Sequence, residues 1–162
     1  MRAFGSRDVV DRGELRTISM RAGTRIVNGG ELSALVDADS NSDVIKYLGE
    51  YQPSCHDDTA DALLRSAEGC GEWVAYSPSF EQYRYVALVT NRRVFALGIG
   101  QRSVCYRLPH ALRATAVQTG AVVAGEIGPD WVRFDLFRAD WPEPDLAFWT
   151  LRAYAGARGD RG

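Results

Sequence analysis

Two pairs of neighbouring cysteine and histidine residues come closest to a catalytic or metal-binding motif in this sequence. Cys55 directly precedes His56, and Cys105 lies five residues before His110. A histidine activates a thiol when the two side chains meet at hydrogen-bonding distance, and neither spacing is typical of such a pair. Two histidines are also few for a zinc site, which takes about four ligands. We therefore predict inert thiols and no metal site.

Acid–base catalysis and nucleotide cofactors leave no signature either. The carboxylates form no paired catalytic motif. Gly98 and Gly100 begin a glycine pattern, but the third glycine and the following helix of a dinucleotide-binding loop are missing. The sequence therefore predicts a protein that is not an enzyme and uses no cofactor.

Arginines offer a different chemistry, which is the binding of anionic groups. Residues 84–113 contain six arginines and no acidic residue, a net charge of +6. The predicted strands distribute these arginines over different turns and faces, which favours a solvated strand face or contacts with acidic helices of the same chain. A phosphate or an anionic membrane surface is the next interpretation, and nucleic acid is the last. The anion-binding alternative is assigned to Arg84, Arg92, Arg93 and Arg102.

Length and composition describe a soluble folded protein. The chain has 162 residues and a mass of 17.9 kDa, which suits one domain with an appendage. It is 46% hydrophobic and 25% charged, which is ordinary for a globular protein. The net charge of -2 argues against a dedicated nucleic-acid binder. Arginine supplies 18 of the 19 basic residues, a bias typical of GC-rich bacterial genomes.

Cysteine usage and the N-terminal residues predict a cytoplasmic location. Three cysteines without a C-x-x-C spacing favour neither a disulfide framework nor a zinc clasp. Residues 1–13 lack the apolar core of a signal peptide, and no stretch approaches about 18 apolar residues. A reducing cytoplasm fits these features best.

Charge and hydrophobic periodicity divide the chain into four segments. The first is glycine-rich with two short strand-like runs, and we expect a hairpin or a flexible segment. The second has a net charge of -7 and helical periodicity, which predicts two or three short acidic helices. The third is the main predicted domain, and the last is a predicted disordered tail. These segments are residues 1–30, 31–70, 71–155 and 156–162.

Within the acidic segment, local signals indicate where helices begin and end. Ser40 followed three residues later by Asp43 resembles a capping box. Pro53 separates two helical stretches, and Gly69 is placed to end the last one. We therefore expect helix boundaries near these residues.

Seven short runs rich in Val, Tyr, Phe and Trp predict an antiparallel sheet in the main domain. Turn residues separate the runs, among them the pair Asn91 and Arg92. Apolar and polar residues alternate in several runs, which predicts one buried face and one face in contact with water. The predicted strands are 72–77, 84–90, 93–99, 103–108, 112–119, 121–127 and 131–137.

A final helix is predicted after the proline-rich stretch 140–144, running to about residue 155. Leu146, Trp149 and Ala153 form one apolar stripe, and further apolar side chains fall outside it. A helix that is apolar nearly all round is either deeply buried or shared with a second surface. The residues assigned to a partner-binding surface are Trp141, Phe148, Leu151 and Tyr154, with burial under the N-terminal helices as the alternative.

Seven antiparallel strands followed by one C-terminal helix is the element order of the pleckstrin-homology (PH) superfold. The segment 85–97 runs from an apolar strand through Thr90, Asn91, Arg92 and Arg93 into a second apolar strand, and it resembles the signature of bacterial PH-like domains. The resemblance covers about residues 71–155. It implies an α+β fold: a seven-stranded antiparallel bent sheet or partly open barrel with a C-terminal helix, preceded here by the short acidic helices.

The resemblance implies a binding module rather than a catalyst. PH domains that grip inositol-lipid head groups use basic residues on the first two strands and their loop. The equivalent stretch 77–84 has one Arg, one Glu and no Lys, which counts against lipid binding. We therefore expect protein–protein interaction or self-assembly, with a protein partner or a second copy bound. The alternative is recruitment to an anionic membrane or a phosphorylated ligand through the strand and turn arginines.

Overall fold

The computed structural model describes residues 8–12, 15–21 and 24–159. Strands and helices share the chain, so the α+β class is as predicted. The strands are β1 (Asp8–Arg12), β2 (Leu15–Arg21), β3 (Thr24–Asn28), β4 (Trp73–Ser77), β5 (Val86–Thr90), β6 (Arg93–Ile99), β7 (Ser103–Arg107), β8 (Val122–Val123) and β9 (Trp131–Asp135). The helices are α1 (Ser42–Tyr51), α2 (Asp57–Ser66), α3 (His110–Gln118) and α4 (Leu146–Ala157), with a 3-10 turn at Leu32–Ala34.

In the described ranges the strands form one open sheet in the order β1-β2-β3-β4-β5-β6-β7-β9-β8. Neighbours pair antiparallel except β3 and β4, which run parallel. The parallel pair requires a crossover, and the acidic helices α1 and α2 supply it. The segment 1–30 thus contributes three strands to the same sheet as the main domain, and its residues 1–7 lie outside the described part of the chain.

Helices cover both faces of this sheet. On one face α2 and α4 pack on residues such as Phe95 and Tyr106. On the other face α1 and the 3-10 turn pack on residues such as Val94 and Cys105. All five residues of β5 are buried, so the prediction of one water-facing side is wrong. The alternation along the strands reflects two covered faces, each of which receives every second side chain.

The predicted strand 112–119 is wrong, because residues 112–118 belong to α3 and Thr119 is its C-cap. Three alanines stand among the nine residues of α3, and alanine has the highest helix propensity. Pro109 occupies the N-cap position and lacks a donor that a sheet would need. The β-branched residues Thr115 and Val117 favour a strand in the sequence. Val117 is exposed, however, so its branched side chain gains no stabilising packing contacts.

A tight turn joins β5 to β6. Asn91 and Arg92 have φ values of 52° and 60°, the left-handed conformation that a two-residue hairpin requires at both positions. Asparagine tolerates that conformation better than most residues. The turn presents the carbonyl of Arg92 toward the acidic segment, where it accepts hydrogen bonds from the Asp37 backbone N–H and the Asn41 side chain.

The C-terminal helix α4 begins at an acidic cap. The carboxylate of Asp145 accepts a hydrogen bond from the backbone N–H of Phe148 at 3.1 Å. The helix ends at Ala157, so it includes the first two residues of the predicted tail 156–162, and residues 160–162 lie outside the described part of the chain. Its buried residues pack across β6 and β7 and against α2.

Candidate anion-binding site

A cleft of about 500 Å³ opens where the start of α1, the end of β7 and the start of α3 meet. This volume lies within the range of small-molecule sites, roughly 300 to 1,000 Å³. The end of α4 also contributes to the lining through Gly156 and Ala157. The ionisable side chains that line the cleft are Arg93, Arg107, Arg113, His110, Asp39, Asp43 and Asp130.

Arg107 is a half-buried arginine of the cleft. Its guanidinium lies 5.4 Å from the ring centroid of Trp131, a cation–π contact, and donates to the side-chain oxygen of Asn41 at 3.2 Å. Burial, and after it the positive charge of Arg93, lower the pKa of Arg107. Two guanidinium groups held near each other in a half-buried position favour the approach of an anion.

Arg93 opens β6 and is the arginine best placed to meet a ligand. It lines the cleft, is half-buried, and makes no side-chain hydrogen bond or ion pair with any residue in the described ranges. Its five N–H donors are therefore available, and their fork geometry suits a carboxylate or a phosphate.

Arg113 is already engaged by the protein. Its Nη1 donates to the carbonyl of Leu108 at 2.7 Å and pairs with the carboxylate of Asp130 at 3.1 Å. Its Nη2 lies 3.3 Å from Nδ1 of His110. These contacts hold the first turn of α3 against the loop before β9, and they use the charge of Asp130 within the protein.

Asn41 is the residue that holds the cleft together. It is fully buried, and its Nδ2 donates to the backbone carbonyls of Asp37 and Arg92. Its Oδ1 accepts from the backbone N–H of Val94 at 2.8 Å and from Arg107. One side chain thereby ties the start of α1 to the β5–β6 turn and to the guanidinium of Arg107. No sequence signal distinguished this asparagine.

Because the Asn41 side chain points to the sheet, it does not cap α1. Asn41 is the N-cap residue, yet no side chain caps the helix, and the predicted capping box is wrong: Ser40 bonds to the Asp37 carboxylate instead. The N-cap of α3 is Pro109, which also provides no side-chain cap. The N-termini of α1 and α3 therefore lie at the cleft, and no side chain caps the N–H groups of their first turns. These N–H groups add positive electrostatic potential to the cleft.

The structure separates the four arginines assigned to the anion-binding alternative. Only Arg93 lines this cleft. Arg84 and Arg92 donate to the backbone carbonyls of Gln52 and Val36, at 3.3 and 3.1 Å. Arg102 lines a different cleft. The four arginines therefore do not converge on this cleft, in line with the expected distribution over different turns and faces.

Arg107 and Arg113 are the cleft arginines that the sequence-based assignment missed. Both belong to the acid-free stretch 84–113, so their charge was visible in the sequence. Their convergence with Arg93 was not, because it depends on the pairing of β6 with β7 and on the helix that follows.

The four residues assigned to partner binding are also divided. Tyr154 is 8% exposed and packs edge-on against Phe95, with ring centroids 5.7 Å apart, so its prediction as an exposed residue is wrong. Phe148 and Leu151 are 39% and 47% exposed on α4. Trp141 lies in the loop before α4, where its indole N–H donates to the carbonyl of Thr119 at 2.8 Å.

The thiols occupy unreactive positions. Burial raises the pKa of Cys55 to about 12 and that of Cys70 to about 11, and it also raises the pKa of Cys105. The ring of His56 accepts from the backbone N–H of Asp58 and so caps α2. Among the described residues, no three His, Cys, Asp or Glu side chains are grouped to hold a metal ion.

Fold and site together define an α+β protein with an open, mostly antiparallel sheet and an arginine-lined cleft at one end. None of the helices in the described ranges has the length and apolar character needed to cross a membrane. Comparison with protein-family models, with curated proteins and with solved structures finds no match to this chain.

Proposed function

We propose that this protein is a non-catalytic binding module whose cleft at the start of α1 and α3 holds a small ligand with an acid group. The observation that carries the proposal is Arg93, a half-buried guanidinium that lines the cleft beside Arg107 and makes no hydrogen bond or ion pair with a described residue. The acid group is a phosphate or a carboxylate, since both accept paired hydrogen bonds from a guanidinium.

We also propose that residues 71–155 form a PH-like domain. Strands β4 to β9 followed by α4 support it, while α3 departs from the seven-strand pattern. The raised pKa values of the thiols support a binding role rather than a nucleophilic one.

Titration with inorganic phosphate tests the proposed site. Backbone amide shifts are followed by NMR at constant ionic strength, and we expect the largest changes at Ser42, Asp43 and His110. Arg93→Ala is expected to weaken binding about tenfold, because a charged hydrogen bond contributes about 1.5 to 3 kcal/mol. Arg102→Ala is the matched control, since Arg102 is an exposed arginine outside this cleft. Equal weakening by both variants would show only a general charge effect and would contradict the proposal.

Self-association through α4 is a second candidate function. Phe148 and Leu151 are spaced i, i+3 and both are exposed, so they share one face of the helix. A second copy presents the same pair, and a twofold contact is then self-complementary. Arg152 lies over the Phe148 ring, 4.9 Å from its centroid, and can stay there in such a contact.

The mass in solution tests self-association. We expect a concentration-dependent dimer that Leu151→Asp abolishes. Val117→Asp is the matched control, because Val117 is similarly exposed on another helix, and this variant should leave the dimer intact. A monomer at every concentration, or equal loss in both variants, would contradict this candidate.

A further inference from the structure

The cleft contains unpaired groups of both signs. Asp39 and Asp43 come from the loop before α1 and from its first turn, while Arg93 and Arg107 come from the ends of β6 and β7. Neither carboxylate forms an ion pair with a residue in the described ranges. The third carboxylate, Asp130, differs because Arg113 already neutralises it at 3.1 Å. Two carboxylates without an ion-pair partner in the described ranges therefore share a small cleft with the guanidiniums of Arg93 and Arg107, and Asp43 is near enough to act on the charge of Arg107.

A ligand that carries only negative charge would experience electrostatic repulsion in this cleft. The carboxylates of Asp39 and Asp43 repel it while the guanidiniums attract it, and like charges brought together lower the affinity for the wrong ligand. A ligand that also carries an ammonium group turns that repulsion into attraction. The same carboxylates would then select against anions that lack an amine.

Building on the proposed anion site, we infer that the ligand is a small zwitterion. Its acid group binds Arg93 and Arg107, and its ammonium group binds Asp39 and Asp43. The cleft volume of about 500 Å³ is of the size that admits a molecule of this class. The shared chemistry is one acid and one amine, and the acid is either the phosphate of an amino-alcohol phosphate or the carboxylate of an amino acid.

Isothermal titration with two matched pairs of probes tests the inference on the full chain at pH 7. 2-Aminoethyl phosphate is compared with ethyl phosphate, and β-alanine with propionate. In each pair the first compound has the amine that the second lacks. We expect at least one amine-bearing probe to bind about tenfold more tightly than its partner, and the pair that shows it identifies the acid group.

Substitutions of Asp39 and Asp43 then test whether their carboxylates cause the preference for amine-bearing probes. Asp39→Asn with Asp43→Asn should reduce the preference to about onefold, because the amine-bearing probe loses its attraction to the carboxylates and the amine-free probe loses its repulsion from them. Glu50→Gln is the matched control, since Glu50 is exposed on α1 and does not line the cleft. If the double variant unfolds, as circular dichroism would reveal, Asp39→Asn alone serves, because Asp39 lies outside the helix and is exposed.

The outcomes distinguish the zwitterionic ligand from the anion-binding site on which it rests. Equal binding of the amine-bearing and amine-free probes, weakened by Arg93→Ala, would overturn the zwitterion and leave the anion site in place. An amine preference that survives the double variant would also overturn the inference. No binding of any of the four probes would overturn both.

Discussion

The guanidinium of Arg107 donates a hydrogen bond to the side-chain oxygen of Asn41, with Nη2 and Oδ1 3.2 Å apart. The two residues are 66 positions apart in sequence, and Asn41 is fully buried. Their contact joins the acidic helical segment to the arginine-bearing strands. It also sets the position of the guanidinium that we assign to ligand binding.

Replacement of Asn41 should destabilise the protein more than its size suggests. Asn41→Ala leaves the Val94 N–H without this partner, and a buried polar group without a hydrogen bond costs about 1 to 3 kcal/mol. The Arg92 carbonyl keeps the hydrogen bond from the Asp37 N–H but loses the one from Asn41. We expect the free energy of unfolding in urea to fall by about 2 to 4 kcal/mol. Ser42→Ala, at the exposed neighbouring position, is expected to change it by less than about 1 kcal/mol. Similar losses in both variants would contradict the role assigned to Asn41.

A hydroxyl chain inside the core should behave as one unit. The hydroxyl of Thr150 lies 2.7 Å from those of both Ser66 and Tyr106, so it links α2, α4 and β7. Thr150→Val removes the hydroxyl at nearly constant shape and should cost about 1 to 3 kcal/mol of unfolding free energy.

A double-mutant cycle with Tyr106→Phe tests this coupling. In the Tyr106→Phe background the phenolic hydroxyl is absent, so Thr150→Val leaves one fewer buried hydroxyl without a hydrogen-bond partner. The double variant should therefore lose less unfolding free energy than the sum of the losses in the two single variants. Strict additivity in thermal or urea unfolding would show that the two hydroxyls act independently.

The loop that carries Trp141 should depend on a glycine. Gly120 has a φ of 111°, and a Cβ built there would overlap the indole nitrogen of Trp141. Gly120→Ala therefore introduces backbone strain and also displaces the indole, and we expect a loss of about 1 to 3 kcal/mol. In a Trp141→Ala background only the strain remains, so the same substitution should cost less. An equal cost in both backgrounds, measured by urea unfolding, would contradict the contact.

The cysteines should be slow to alkylate in the folded protein. Burial raises the pKa of Cys70 to about 11 from an ordinary 9.0, so at pH 8 its thiolate population falls about 100-fold. Iodoacetamide labelling followed by mass spectrometry should be much slower in native protein than in urea. Rapid native labelling of Cys70 would contradict the burial.

The same pKa shift gives stability a dependence on high pH. In the unfolded chain the thiols lose protons near pH 9, while in the folded protein Cys70 and Cys55 keep theirs until about 11 and 12. The contribution is complete below pH 9 and is lost as pH rises through the folded-state values. We therefore expect the free energy of unfolding to decline above pH 9. Cys70→Ser should reduce that slope.

The α+β class, the acidic helices, the Asn91–Arg92 turn and the C-terminal helix follow from local patterns, because propensity and periodicity act over a few residues. The segment 112–119 shows the limit of such patterns. Its β-branched residues favour a strand, but a proline before it and alanines within it form α3. Without this helix, neither His110 nor Arg113 would reach the cleft.

The charged residues also show which features the sequence indicates and which only the fold decides. The acid-free arginine stretch was evident in the sequence, yet it did not indicate which arginines meet. Arg84 and Arg102 are carried away from Arg93, while Arg107 and Arg113 are brought to it, because strand pairing joins residues far apart in the chain. Asn41 had no signal at all, since its importance comes from burial.

Local sequence is enough to determine the elements and their charge, because those depend on near neighbours. The cleft, with its unpaired guanidinium and carboxylates, exists only after β6, β7, α1 and α3 are packed together. A site made of long-range contacts is decided by tertiary structure, since burial and strand register select which of several similar side chains converge.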